Sequence, residues 1–507
     1  MGCRSLAYTI VVGAVLSSTL RAQASPSPTD SRLAGFDEYV AKSVKDWNVA
    51  GLAIAVVKDG RVVFEKAYGV RQLGRPEPVD TATLFNAAST TKAMTAVAVG
   101  MLVDEGKLQW DDPVIKHLPG FQLYDPYVTR ELTIRDLLTH RAGLGNADYL
   151  WASRDLSRDT VISRLRFVKP AYSLRSSFVY QNIMYLMAGE VIRAVSGMPW
   201  ETFVATRIFQ PLGMTSTVPL SAMARGRADV ASPHWRFGDT LTLIKTIETD
   251  VIAPAGSVVS SISDMSKWIR FLLDSAKVGG KRLLKPETFA ELFTPQAIVP
   301  PDEFYPTREL TKPHWMTYGL GWFQHDYRGH MVDFHTGSIN GFVAIAGLLR
   351  DERLGVYVFA NTDHVEVRHA LMYRVFDLFL GAPVRDWSTE IRALYGKRTA
   401  RADSSRTADE AKRIRGTKPS LPEAKYVGTY SDQLLGKIII SMENGNLRAR
   451  MSSSLAGSME QWQYDTFRIR WDNRWDGTDL VTFSIGQDGL PETVTLGDFI
   501  LRRETKQ

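Results

Sequence analysis

Cysteine is almost absent from this 507-residue chain, Cys3 being the only one. No disulfide can form within the chain and no thiolate metal site is available, so the fold must be held by packing alone. Long apolar runs are missing too. The one candidate, residues 6–16, is too short, and too quickly followed by Ser17, Ser18 and Thr19, to span a bilayer. With Arg4 before it and Ala22, Gln23 and Ala24 after it, the run has the form of a secretory signal. Residues 1–24 are therefore expected to be a signal peptide, an uncleaved anchor being the alternative. The mature chain is expected to be exported, periplasmic or secreted, with no membrane span. A myristoylation pattern fails at Leu6, where Ser or Thr is required.

A strong excess of one charge is lacking as well. The formal net charge is +6 and the cations are spread along the chain, which gives no reason to expect a nucleic-acid partner. There is no internal repeat. No G-x-S-x-G elbow is present, because residues 337–341 (GSING) place the serine one position early, and this argues against an α/β-hydrolase. No H-E-x-x-H occurs either. His325, His330 and His335 recur every fifth residue, as do His364 and His369, but that interval fits neither helix nor strand, so loop histidines are expected and no metal or cofactor is implied.

What is present is ordinary globular composition, 44% hydrophobic and 23% charged, with length for two or three domains. A Pro/Ser-rich spacer, 25–28, precedes a helical pattern over 36–47 and a hairpin with strands 51–57 and 61–68 about an Asp-Gly turn. A helix opens near Ser89 and ends at Gly106. Residues 110–275 read as helices and loops, with the 3.6-residue spacing over 133–139, 159–167, 182–195 and 263–273. Strand patterns return at 332–335, 341–349 and 355–361, followed by a helix over 367–380. Strands at both ends of a long helical stretch predict one sheet built from distant segments plus a helical subdomain, with the functional cleft between them. Residues 385–424 are polar and charged and read as a linker with room for some helix. Short β-type runs from 425 to the end predict a small all-β module.

Three clusters can carry chemistry. Ser89 and Lys92 stand three positions apart at a helix start, so they share a face and the amine can reach the hydroxyl. The helix N-terminus adds free N–H groups and partial positive charge where an oxyanion would develop, and burial would favour the neutral amine. Alone, the pair reads better as a helix cap followed by a surface lysine. Tyr180 and Asn182 precede another helix. A phenol beside an ammonium has its anion favoured and can shuttle protons, and the amide offers a donor and an acceptor to a substrate. Alone, the pattern is explained equally well by a buried core tyrosine. His335, Thr336, Gly337 and Ser338 close a late strand, where Gly337 would admit a substrate backbone and the Ser338 N–H could join that of Ser89 in an oxyanion hole.

In this order the clusters SxxK, YxN and [KH]TG resemble the three-motif signature of the penicillin-binding/serine β-lactamase superfamily. The chain looks most like the class C branch, with its carboxypeptidases, D-aminopeptidases and esterases. Residues 132–144 (LTIRDLLTHRAGL), 254–261 (PAGSVVSS), 318–322 (YGLGW) and 337–342 (GSINGF) fit that branch, and the resemblance covers about 35–380. It implies an α+β class: an antiparallel sheet flanked by helices plus an all-helical subdomain, followed by a small all-β domain. The implied layout is a hydrolase domain at 30–384, a linker at 385–424 and, from the looser likeness of the YVGTY stretch at 426–430, a lipocalin-like β domain at 425–507. The implied site has Ser89 as nucleophile, Lys92 as its base, Tyr180 as proton shuttle, and Asn182, His335, Thr336, Gly337 and Ser338 as substrate contacts.

β-Lactamases usually carry Lys where this chain has His335. A histidine near its reference pKa is mostly neutral at pH 7, so penicillin hydrolysis is expected to be weak. The expected partners are small ester, D-peptide or β-lactam substrates and peptidoglycan fragments, acted on through an acyl-enzyme. The alternative is a penicillin-binding or peptidoglycan-binding sensor that is acylated and does not turn over.

Overall fold

The computed structural model describes residues 30–504, so the signal segment and Cys3 lie outside the described residues. An eight-stranded antiparallel sheet runs in the order Arg61–Gly69, Gly51–Lys58, Leu354–Ala360, Phe342–Leu349, His330–Ile339, Phe323–Tyr327, Met316–Tyr318, Ala297–Ile298. Its first two strands come from the beginning of the chain and the other six from beyond residue 296. That is the expected joining of distant segments.

Both faces of the sheet are covered, and strand Gly51–Lys58 shows how. Ala53, Ala55 and Val57 point into one core with the helical region, while Leu52, Ile54 and Val56 point into another with Phe36, Val40 and helix Val367–Phe379. The alternation is the strand's two-residue period with an apolar layer on each side. Helix Thr91–Asp104 is buried from Thr91 to Leu102 around its whole circumference, and so forms the axis of the helical region. Helices Ile183–Ser196 and Ile262–Leu273 pack nearby, the latter against the sheet.

One sequence reading changes and one is sharpened. The helical part of the stretch read as a linker is a 25-residue helix, Trp387–Ala411, of which only Trp387, Ser388 and Ile391 are buried. Helix Val367–Phe379 packs beside it, so this helix is anchored at its start and exposed beyond. The histidines expected in loops lie mainly in regular structure: His325, His330 and His335 are on strands and His369 is on a helix, with His364 alone in a turn. The all-β module is a closed barrel of eight strands between Gly428 and Arg503, filled by Tyr426, Tyr430, Ile438, Phe467, Ile469, Phe483 and their neighbours. Closure removes the exposed strand edges that a small open sheet would present. Among the described residues, no helix is long and apolar enough to cross a membrane.

Candidate active site

The chain enters the site through the short strand Leu84–Asn86 and turns at Ala88, whose φ of 46° lies in the left-handed region that a residue with a Cβ seldom adopts. The Asn86 Oδ1 accepts from the Ala88 N–H at 2.7 Å and braces the turn. A 3-10 turn over Ala88–Thr90 then feeds helix Thr91–Asp104. Ser89 alone of this stretch is partly exposed, with Ala88 and Thr90 buried on either side.

Lys92 is fully buried. Its Nζ lies 3.0 Å from Ser89 Oγ, 2.7 Å from Asn182 Oδ1 and 3.0 Å from the Ala255 carbonyl, with the rings of Tyr180 and Tyr185 at 4.8 and 5.3 Å. Burial pulls its pKa down to about 7, the Asp148 carboxylate acting in the opposite direction. In the neutral state two N–H bonds satisfy Asn182 and Ala255, and the lone pair is left for the Ser89 hydroxyl proton. That is the arrangement of a base poised on a nucleophile.

The Tyr180 ring lies against His140, centroids 4.4 Å apart, and 6.1 Å from His335. The expectation that a neighbouring ammonium favours its phenolate is reversed. Burial holds the phenol well above its ordinary range, with the nearby Ser89 hydroxyl acting the other way, so Tyr180 is a neutral O–H. Asn182, one residue ahead of helix Ile183–Ser196, has both ends of its amide engaged. Its Oδ1 accepts from Lys92, and its Nδ2 donates to the Asp148 carboxylate at 3.0 and 3.1 Å.

The opposite wall is strand His330–Ile339. A Cβ on Gly337 would lie 2.2 Å from the Ala87 carbonyl oxygen, so glycine is what lets this strand reach the turn that carries Ser89. His335 is buried, its Nδ1 against the Thr336 carbonyl at 2.6 Å and its Nε2 against the Tyr318 hydroxyl at 3.0 Å. Burial, then the Lys92 charge, lowers its pKa to about 3. It is a neutral ring turned into the protein, and neither nitrogen is left for a substrate carboxylate. Thr336 Oγ1 is 2.5 Å from the Tyr305 hydroxyl. Ile339 pairs with Phe342 across a two-residue turn, and pairs in an antiparallel ladder alternate between bonded and non-bonded. By that alternation the Gly337 backbone faces the neighbouring strand, and the Ser338 N–H faces the unpaired edge on the cleft side.

Residues 36–378 match the model of the Beta-lactamase family. The chain belongs to that family. Its members are serine hydrolases, and the penicillin-binding-protein-like fold expected from the motifs is the fold observed. Residues 412–506 match a domain of unknown function, DUF3471. An unguisins hydrolase of Aspergillus violaceofuscus is 28% identical over 82% of this chain and 78% of its own length. The protein flp of Staphylococcus aureus is 25% identical over 64% of this chain and 62% of its own. Among solved structures, the octameric penicillin-binding protein homologue from Pyrococcus abyssi superposes with a TM-score of 0.61 at 20% identity, covering 92% of this chain and 99% of that one. SurE crystallised with D-Leu gives 0.53 at 22% identity over 93% and 99%.

This Beta-lactamase-family chain brings Ser89, Lys92, Tyr180, Asn182 and the His335 strand together, and it adds residues that sequence reasoning missed. Asp148 holds Asn182. Arg368 donates to the Gly337 carbonyl, to Ser338 Oγ at 2.9 Å and to the Ala344 carbonyl, while its own charge is met by the buried carboxylate of Glu366 at 3.0 Å. Burial pushes the Glu366 carboxyl up, but Arg368 and the His369 hydrogen bond outweigh it and hold the group far below the usual carboxylate range. An Arg two places from a Glu inside an apolar helix start was the available signal for that pair.

Proposed function

We propose that this protein hydrolyses ester or amide bonds through an acyl-enzyme formed on Ser89. The observation that carries the reading is the buried Lys92 amine, bonded to Ser89 Oγ on one side and held by Asn182 and Ala255 on the other. Ser89 attacks the carbonyl carbon as its proton passes to neutral Lys92, and the backbone N–H groups of Ser89 and Ser338 receive the oxyanion. Tyr180, a neutral phenol, gives its proton to the leaving group and takes the one on Lys92 in exchange, so both return to their starting states, and water releases the acyl group by the reverse route.

Carboxylate-free acyl donors are favoured over penicillins. His335 is neutral at working pH and Arg368 is buried against Glu366, so neither offers a free charge to a substrate carboxylate. Esterase or D-amino-acid peptidase activity is the first expectation, with β-lactamase activity weak. An unguisins hydrolase among the relatives agrees with hydrolysis as the class of reaction. Export is proposed from the composition of residues 1–24.

The test is a panel of p-nitrophenyl esters, D-alanyl anilides and a chromogenic cephalosporin, assayed on the mature protein and on Ser89→Ala. Steady turnover abolished by several orders of magnitude in the variant supports the hydrolase. A single stoichiometric burst identifies the acylated sensor instead, and turnover surviving in folded Ser89→Ala removes the reading.

A further inference from the structure

The segment that carries Asp148 faces two ways. On its inner side the Asp148 carboxylate accepts from Trp151 Nε1 at 2.7 Å and from Asn182 Nδ2. A carboxylate can only accept, so it fixes the Asn182 amide with its NH2 outward and its oxygen toward Lys92. A flipped amide would aim N–H groups at the Lys92 donors and break the 2.7 Å bond.

On its outer side the same segment is fastened to the barrel. Ser452 Oγ and Ser454 Oγ donate to the Ser153 carbonyl at 2.6 and 3.3 Å, Ser453 Oγ donates to Asp155 at 2.9 Å, and Ser153 Oγ donates to Asp476 at 3.3 Å. The Arg154 guanidinium donates to the Leu435 carbonyl and reaches the Met451 sulfur at 3.5 Å, while Tyr149 packs on Phe499 with ring centroids 4.9 Å apart. Tyr149 thereby joins the barrel core to that of the helical region. Among the described residues, no hydrogen bond from the barrel reaches Ser89, Lys92 or Tyr180. The barrel's hydrogen-bonded path toward the site runs through the segment it holds.

We propose that Asp148 is a positioning residue for Lys92, acting through Asn182, and that the C-terminal barrel keeps it in place by clamping residues 149–155. The inference rests on the acyl-enzyme reading for its catalytic meaning, but the state of the amine can be read without any turnover. The titratable groups around Lys92 are Asp148 on this segment, Tyr180 and His140 on the loops, Tyr185 on the following helix, and His335 with Tyr318 on the sheet. Asp148 is the carboxylate among them, and its charge favours the ammonium.

The experiment follows Lys92 by NMR titration of 13C-lysine-labelled full-length protein, its signal assigned by loss in Lys92→Ala. In parallel, the rate at which a fluorophosphonate labels Ser89 is measured against pH. Asp148→Asn keeps an acceptor for Asn182 and removes the charge, so the Lys92 midpoint is expected to fall by about one pH unit, moving the rising limb of labelling to lower pH by the same amount. Asp148→Ala removes the acceptor as well, and its plateau labelling rate is expected to drop about tenfold further. In Arg154→Ala/Asp155→Ala, remote from the amine, the midpoint is expected to move in the same direction by less, with a lower plateau. An unmoved midpoint in folded Asp148→Asn overturns the role of Asp148. Wild-type values in the double variant overturn that of the barrel. A shifted midpoint in a protein that turns over no substrate would uphold the positioning role while sinking the hydrolase.

Discussion

On the helix wall of the cleft, Ser89, Lys92 and Asn182 meet through their side chains, whereas on the strand wall the side chains of His335 and Thr336 bond inside the protein and backbone is what approaches the nucleophile turn. The difference follows from geometry. Residues three apart on a helix share a face, so a spacing on paper becomes a contact in space. Successive residues on a strand alternate faces, and a motif of consecutive residues cannot send all its side chains to one place. The strand's contribution is therefore a glycine that permits approach and an N–H on an unpaired edge.

If the helix wall works through side-chain chemistry, the largest loss after that of the nucleophile should come from Lys92. Lys92→Met keeps the length and packing of the side chain but removes the base, and kcat/KM is expected to fall about 10³-fold. The wild-type profile should also rise as pH passes through about 7, because the neutral amine is the reactive form and the ammonium is lost in that direction. The variant should lack that limb. A rise near neutral pH in Lys92→Met would assign the titration to another group.

If the strand wall works through backbone, its sensitive position should be the one with no side chain. Gly337→Val would push a Cβ into the Ala87 carbonyl, which as backbone cannot swing aside. The strand must retreat, carrying the Ser338 N–H with it, and a displacement near 1 Å is expected to cost about 10² in kcat with a smaller change in KM. Unchanged kcat in a folded Gly337→Val would show that this edge does not take part.

The same contrast marks what could be read in advance. Ser89 and Lys92 were legible because their relation is local, and five strands of the sheet were legible as apolar runs bounded by turns, whereas the short Ala297–Ile298 and Met316–Tyr318 and the polar Phe323–Tyr327 carry no such pattern. Asp148 was not, since it reaches Asn182 from a distant loop without a repeat or motif. The inward turn of His335 was hidden for a similar reason. It depends on Tyr318, a neighbour two strands across the sheet, which pattern alone does not pair with it. Helix Trp387–Ala411 carries no apolar stripe, because its large apolar side chains, Trp387, Ile391, Leu394 and Tyr395, all lie near its start and the rest is exposed alanine, polar and charged residues. Runs at 437–441, 447–451, 467–471, 480–485 and 493–501 were visible, but strand Ala456–Gln463 was not, the last run is two strands, and closure into a ring is a matter of register between runs that leaves no local trace.

His335 gives the smallest expected effect and the sharpest distinction between the walls. As a cation meeting a substrate carboxylate, it would make KM worsen as pH rises through the ordinary histidine range. Buried between Tyr318 and Thr336 with its pKa lowered to about 3, it is already neutral throughout pH 5–8, and KM should show no titration from it there. His335→Gln should therefore change kcat/KM by less than about tenfold at neutral pH. Stability is where the residue should register. The unfolded chain takes up a proton on this ring near its reference value of about 6.5 while the folded protein resists until about 3, so stability is held above that range and lost as pH falls through it. Chemical denaturation of wild type and His335→Gln between pH 7 and 4 checks the sign: the wild type should lose more stability on acidification than the variant. Equal losses, together with a KM that titrates near 6.5, would return this histidine to the substrate and make the strand wall a side-chain wall like its counterpart.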